Sequence, residues 1–140
     1  LRAGRYIWML LTVSVIGPLV EELLFRGLVF HLFERSFKSE RAAIILSALL
    51  FGIWHEIFVQ SVYTFMIGLI LGYLYAKTRK IIWPFLVHLV NNFSGTLPPG
   101  FDGEFANMLV NLASLICIPV LFILLWRMEK NTKQIEKTLP

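Results

Sequence analysis

Long apolar runs, separated by short polar turns, recur along the 140-residue chain and constrain its fold more than any other feature. A helix needs about 20 such residues to cross a hydrocarbon core of about 30 Å. The runs predict five membrane-spanning helices, at roughly residues 6–33, 41–59, 61–78, 81–95 and 104–127. Because 57% of the residues are hydrophobic and only 16% are charged, we expect an all-α, polytopic transmembrane bundle and not a soluble domain.

Proline, glycine and charge mark the turns between these runs, and the sequence contains no repeat or low-complexity segment. We expect a single transmembrane domain over residues 1–140, in which 128–140 form a polar cytoplasmic tail. The chain begins with Leu1 and not with methionine, which favours a fragment that lacks upstream helices. The single cysteine, Cys117, excludes an intrachain disulfide.

Basic residues cluster in the turns and account for the formal net charge of +4. The positive-inside rule predicts that the more basic side of the membrane is cytoplasmic and that the C-terminus lies inside. Because topology explains the clusters, we expect a lipid bilayer as partner and no nucleic acid. The ten cations of this side are Arg35, Lys38, Arg41, Lys77, Arg79, Lys80, Arg127, Lys130, Lys133 and Lys137.

Three charged residues interrupt the first apolar run, in the stretch GPLVEELLFRGLVF at residues 17–30. A charge at mid-bilayer costs roughly 2.5–3.5 kcal/mol on insertion scales, so these residues need partners. Glu22 and Arg26 are four residues apart and therefore close enough on one helix face to pair. Glu21 points about 100° away, which leaves its carboxylate free for chemistry.

Two further polar pairs have the same spacing of four residues. FGIWH contains Phe51 and His55, and HLVNN contains His88 and Asn92. Counted from the cytoplasmic turns at 1.5 Å per residue, the two glutamates lie about 20 Å deep, His55 about 21 Å, Asn92 about 18 Å and His88 about 12 Å. Three helices therefore bring polar groups to a similar depth, which predicts one polar site inside the membrane.

In this order, EELLFR, FGIWH and HLVNN resemble the motifs EExxxR, FxxxH and HxxxN of the CAAX-protease and bacteriocin-processing (CPBP) intramembrane proteases, which include the type II CAAX prenyl endopeptidases. The resemblance covers about residues 17–96, and every motif position is present. It implies proteolysis of a peptide or membrane-protein substrate in a bacterial plasma membrane. It also implies an all-helical fold whose polar cavity opens to the cytosol.

The resemblance also implies a role for each motif residue. By motif position, Glu21 is the general base that activates water, and His55 assists it. His88 and Asn92 stabilise the oxyanion of the tetrahedral intermediate, while the paired glutamate and arginine of the first motif support the site. A carboxylate, two imidazoles and an amide are suitable groups for amide hydrolysis, which needs a base, oxyanion donors and an acid.

Metal dependence is left open by these residues. Glu21, His55 and His88 would make a three-ligand zinc site with an open position for water. A metal-free mechanism uses the same glutamate as the base, and we favour it because the amide of Asn92 suits an oxyanion hole better than zinc. HEIFV at residues 55–59 is not the zinc-protease motif HExxH, because Val59 replaces the second histidine.

Two other classes of function are compatible with this sequence. A catalytically silent scaffold or sensor would keep the fold and use the charges as a structural ion pair. A transporter or proton relay also uses intramembrane carboxylates and histidines, but it predicts inverted repeats and broken helices that the five runs do not clearly show. The sequence selects neither a substrate nor an oligomeric state.

Overall fold

The computed structural model describes residues 3–96, together with Arg127 and Lys130. Four helices occupy residues 3–96: α1 (Gly4–Phe37), α2 (Glu40–Ile53), α3 (Phe58–Thr78) and α4 (Ile82–Ser94). Leu1–Thr96 form one compact unit, and the second unit, Leu97–Pro140, lies almost wholly outside the described residues. The predicted fifth helix and polar tail fall there, and the prediction of one domain over residues 1–140 stays a prediction.

Two of the four helices are long and apolar enough to cross a membrane: α1 with 34 residues and α3 with 21. The other two, α2 and α4, have 14 and 13 residues and are shorter than predicted. Many large apolar side chains of α1 are exposed, including Leu19, Leu23, Leu28 and Leu32. The all-α membrane fold is therefore confirmed for residues 3–96, whereas the number of spans stays a prediction.

The second helix ends six residues earlier than the apolar run predicts, at Ile53 instead of residue 59. Residues 54–57 form a turn in which the amide of Ile57 donates to the carbonyl of His55 at 2.6 Å. Glu56 has a φ of 59°, in the left-handed region, and a right-handed helix cannot continue through that conformation. His55 therefore lies on the turn between α2 and α3, and the prediction that it lies on a helix is wrong.

Small residues let α2 and α3 pack closely as an antiparallel pair. Gly68 and Gly72 form a GxxxG pattern on α3, which allows close approach of helices. A Cβ atom on Gly68 would lie 3.1 Å from the Cα of Ala48, and one on Gly72 would lie 3.5 Å from the Cγ2 of Ile44. The pattern thus serves packing within this chain.

Gly52 lies at the tightest point of the same interface. A Cβ atom there would lie 2.8 Å from the carbonyl oxygen of Ser61. Because that atom belongs to the backbone, we expect Gly52→Ala to lower the free energy of unfolding by about 1–3 kcal/mol. Thermal unfolding in one detergent measures the change.

Gly72→Ala is the matched control for this prediction. Its new Cβ atom would make ordinary contacts of 3.5 Å and more, and alanine favours a helix over glycine by about 1 kcal/mol. We expect Gly72→Ala to unfold at or above the wild-type temperature. If Gly52→Ala also unfolds there, backbone contact is not what excludes a side chain at residue 52.

A cluster of ion pairs joins three helices at one end of the unit. Arg79, directly after α3, donates to both carboxylate oxygens of Glu34, at 2.9 and 2.6 Å, and to Glu40 at 3.2 Å. The hydrogen bonds with Glu34 raise the pKa of Arg79. His31, for which the sequence indicates no role, has its Nε2 2.7 Å from the Tyr75 hydroxyl. Two of the predicted cationic turns therefore lie at the same end of this unit, whereas the membrane topology stays a prediction.

The helix α1 contains two π-helical stretches, Leu11–Ile16 and Leu23–Val29. They flank the α-helical segment Gly17–Glu22, which contains both glutamates. Stretches of π-helix are rare and occur frequently at functional sites. The wider turns therefore mark the part of α1 where the candidate site lies.

The beginning of α1 contacts the residues that follow α4. The hydroxyl of Tyr6 donates to the carbonyl of Thr96 at 2.8 Å, and Oγ of Ser14 lies 2.8 Å from Oγ1 of Thr96. These bonds fix the N-terminal part of α1 independently of its charged residues.

Candidate active site

His88 lies between the two glutamates of α1. Its Nδ1 is 2.9 Å from Oε1 of Glu22, and its Nε2 is 3.6 Å from Oε2 of Glu21. Glu22 and His88 are buried, whereas 24% of the Glu21 side chain is exposed. Packing of α4 against α1 thus creates a polar centre in which one imidazole faces two carboxylates.

Arg26 neutralises Glu22 and connects three helices. Its NH1 donates to Oε1 of Glu22 at 2.8 Å, which is the ion pair that the spacing predicts, and both side chains are fully buried. Its NH2 donates to the carbonyl of Gly68 on α3 at 3.1 Å. The guanidinium carbon lies 4.9 Å from the centre of the Phe51 ring on α2, within the range of a cation–π contact.

The ring of Phe51 lies between His55 and the polar centre and contacts the imidazoles of both His55 and His88. Its Nδ1 lies 2.9 Å from the carbonyl oxygen of Phe51. Because a carbonyl only accepts, Nδ1 has a proton, and in the neutral ring Nε2 has the lone pair. The centroid of the Phe51 ring lies 5.0 Å from that of His55 and 5.5 Å from that of His88. Among the described residues, His55 makes no direct hydrogen bond to Glu21 or His88.

Asn92 follows His88 by one turn of α4, but its amide contacts other groups. Its Nδ2 donates to the carbonyl of Val13 at 3.1 Å, and its Oδ1 accepts from Asn91 at 3.3 Å. Tyr63 of α3 in turn donates to Asn91. Since an amide nitrogen has two N–H groups, one remains beyond the bond to Val13. Neither Asn91 nor Tyr63 belongs to a motif, so the sequence offers no signal for them.

The spacing argument pairs Glu22 with Arg26 and leaves Glu21 to meet the histidines. The structure shows instead that both glutamates lie beside His88. Spacing finds neighbours within one helix, whereas this contact depends on how α1 packs against α4. Spacing cannot find Gly68 as a backbone acceptor for Arg26 for the same reason, because that bond joins two helices.

The three residues suggested for zinc do not come together as one set. Among the described residues, no group of three His, Cys, Asp or Glu side chains is arranged to hold a metal ion. Glu21 and His88 adjoin, but His55 lies beyond Phe51. This arrangement does not fit a three-ligand zinc site. The metal-free mechanism remains our proposal, and chelation tests it.

Comparison with known proteins places these residues in a family. A family model described as type II CAAX prenyl endopeptidase Rce1-like matches residues 3–94. Two curated relatives are each 32% identical over 85 residues: the putative membrane peptidase YdiL of Bacillus subtilis and the membrane-embedded CAAX protease MroQ of Staphylococcus aureus. The alignments cover 60% and 57% of this chain and 34% of each relative. No solved structure matches.

The matched segment contains all three motifs and the buried cluster around His88. The chain spans about a third of the length of the curated relatives that it matches. Two of its helices are long and apolar enough to cross a membrane, and both relatives are named as membrane proteins, so the chain is a membrane protein. The family model covers well over half of the 140 residues. The chain therefore belongs to the Rce1-like family of type II CAAX prenyl endopeptidases.

Proposed function

We propose that this protein is an intramembrane endopeptidase that hydrolyses a peptide bond of a membrane-associated protein or peptide. The main support is the contact geometry of His88, whose Nε2 adjoins the accessible Glu21 while its Nδ1 adjoins the buried Glu22. An imidazole next to an accessible carboxylate is suited to proton transfer. Family membership and the names of the two relatives support peptidase chemistry.

Glu21 is the proposed general base. The Glu21 side chain is partly exposed, and its Oε2 is buried beside His88 without a hydrogen-bond partner among the described residues, whereas Glu22 is buried and paired with Arg26. The oxygen of a water molecule attacks the carbonyl carbon of the substrate while Glu21 takes its proton. The C–N bond then breaks, and the departing nitrogen receives a proton, so that a carboxylate and an amine remain.

His88 and Asn92 are the proposed oxyanion donors, and His55 assists the base. Donors that are oriented before reaction stabilise the charge that develops on the carbonyl oxygen. Asn92 lies on the same face of α4 as His88 and has an N–H beyond its bond to Val13. Nε2 of His55 has its lone pair available, because Nδ1 donates to a carbonyl.

The proposed substrate is a prenylated protein or peptide that ends in a CAAX sequence. The family description and the name of one relative support this class. The exposed leucines of α1 suit contact with a lipid bilayer. Because both relatives are bacterial membrane proteins, the proposed location is a bacterial plasma membrane. The positive-inside rule supports the proposal that the C-terminus lies in the cytoplasm.

Cleavage of a farnesylated CAAX peptide by the protein in liposomes tests this function. We expect mass spectrometry to find one new cleavage site, with the same yield in the presence of EDTA. Liposomes without protein are the control. Absence of cleavage, for this peptide and for a pool of unprenylated membrane peptides, would favour a catalytically silent scaffold. Activity that stops with EDTA and returns with Zn²⁺ would overturn the metal-free mechanism.

A further inference from the structure

One oxygen of Glu22 contacts two different partners. Oε1 lies 2.8 Å from NH1 of Arg26 and 2.9 Å from Nδ1 of His88. All three side chains are buried, with exposed fractions of 0%, 0% and 3% for Glu22, Arg26 and His88. Arginine is always charged and only donates, so the carboxylate beside it is an acceptor. His88 must therefore donate to Glu22 through a proton on Nδ1.

This bond determines what the other side of the imidazole can do. A neutral imidazole with its proton on Nδ1 has a lone pair on Nε2. That nitrogen lies 3.6 Å from Oε2 of Glu21, slightly beyond hydrogen-bond range. Both atoms are acceptors in this state, so a hydrogen bond between them forms only after Glu21 has taken a proton. The ring is also confined by Phe51, which meets it edge-on with centroids 5.5 Å apart.

We propose that Glu22 is a positioning residue, which keeps the proton of His88 on Nδ1 and thereby directs Nε2 toward Glu21. This inference rests on the proposed function and deepens it. The proton that Glu21 takes from water passes to Nε2 of His88, which donates to the oxyanion while it holds that proton and then gives it to the departing nitrogen as the C–N bond breaks. The hydroxyl of the water ends on the acyl carbon, and its proton ends on the amine.

Arg26 completes the arrangement because it fixes the carboxylate that orients the ring. Its second bond, to the carbonyl of Gly68, and its contact with Phe51 hold the guanidinium from two other helices. If Glu22 only balanced the charge of Arg26, its Oε1 would not also need to contact Nδ1 of His88. The shared oxygen therefore distinguishes positioning from simple charge neutralisation.

Nitrogen NMR of the protein in lipid bilayers, with isotope-labelled histidine, reads the proton position directly. The chain contains three histidines, so His31→Gln and His55→Gln assign the signals of His88 by elimination. We expect Nδ1 of His88 to be protonated in the wild type. A proton on Nε2 with an unprotonated Nδ1 would overturn the inference, whether or not the protein cleaves any peptide.

Glu22→Gln supplies the kinetic test, since it keeps the size of the side chain and removes its charge. We expect kcat for the farnesylated CAAX peptide to fall roughly 10–100-fold, the loss seen when partners that orient metal-binding histidines are removed, with KM nearly unchanged. We also expect the NMR signals of His88 to show a mixture of both tautomers. Unchanged kcat together with a proton still confined to Nδ1 would refute the positioning role.

Glu34→Gln is the matched control, because Glu34 lies on the same helix and contacts a different histidine, His31, at 3.4 Å. It should leave both kcat and the His88 spectrum unchanged, and an equal effect of both variants would count against the inference. If Glu22→Gln does not fold, the wild-type spectrum still decides. Failure to find proteolysis with Nδ1 protonated would reject the proposed function and leave the proton position established.

Discussion

Glu21→Gln should lower kcat for cleavage of the farnesylated CAAX peptide by roughly 10²–10⁴-fold, the contribution of a positioned general base. Glutamine keeps the shape of the side chain but cannot take a proton from water. Glu21 is partly exposed and its carboxylate is not part of the buried ion pair, so the fold should tolerate the change. Initial rates in liposomes, at equal amounts of reconstituted protein, give the effect.

Glu56→Gln is the control for this loss of activity. Glu56 is an exposed glutamate on the turn directly after His55, and the same chemical change there should leave kcat unaltered. The pair of variants separates loss of the base from a general effect of losing a carboxylate. Full activity of Glu21→Gln, or a loss confined to Glu56→Gln, would show that another group activates the water.

Arg26→Met should lower the free energy of unfolding by about 3–5 kcal/mol, because it leaves the charge of Glu22 buried without its cation. The variant also loses the bond to the carbonyl of Gly68 and the contact with the Phe51 ring. Three helices therefore lose the side chain that joins them. The midpoint of unfolding in a series of denaturing detergent mixtures measures the change.

Arg35→Met is the matched control, because it makes the same substitution on the same helix at an exposed arginine. We expect no measurable change in stability from it. The double variant Glu22→Gln with Arg26→Met should regain part of the lost stability, since no uncompensated charge remains. If the double variant is as unstable as Arg26→Met alone, the loss comes from packing and not from the unpaired carboxylate.

The lengths of the apolar runs predict most helix positions in the described part of the chain, because each of these helices consists mainly of apolar residues. The third helix, expected at residues 61–78, occupies Phe58–Thr78, and the fourth, expected at 81–95, occupies Ile82–Ser94. Run length overestimates the second helix, which ends at Ile53, because the turn that follows it lies inside an apolar run. Trp54, Ile57 and Phe58 are all apolar, and hydropathy cannot detect the left-handed conformation of Glu56.

The candidate site was predictable as a set of residues but not as a set of contacts. Spacing within a helix finds the pair Glu22 and Arg26, since that contact is local. Counting depth along each helix places polar groups at one level but says nothing of their lateral positions. As a result, His55 and Asn92 were expected beside Glu21, whereas they bond to the carbonyls of Phe51 and Val13.

The π-helical stretch Leu11–Ile16 separates two contacts of the first helix, so the number of its residues matters as much as their chemistry. Before it, Tyr6 bonds to Thr96, and beyond it, Glu22 bonds to His88. Deleting one residue between these anchors would rotate one relative to the other by about 100° and shift it by about 1.5 Å. Loops tolerate such insertions and deletions, but this segment should not. Related sequences should therefore keep the number of residues between Tyr6 and Glu22, even where the side chains between them differ.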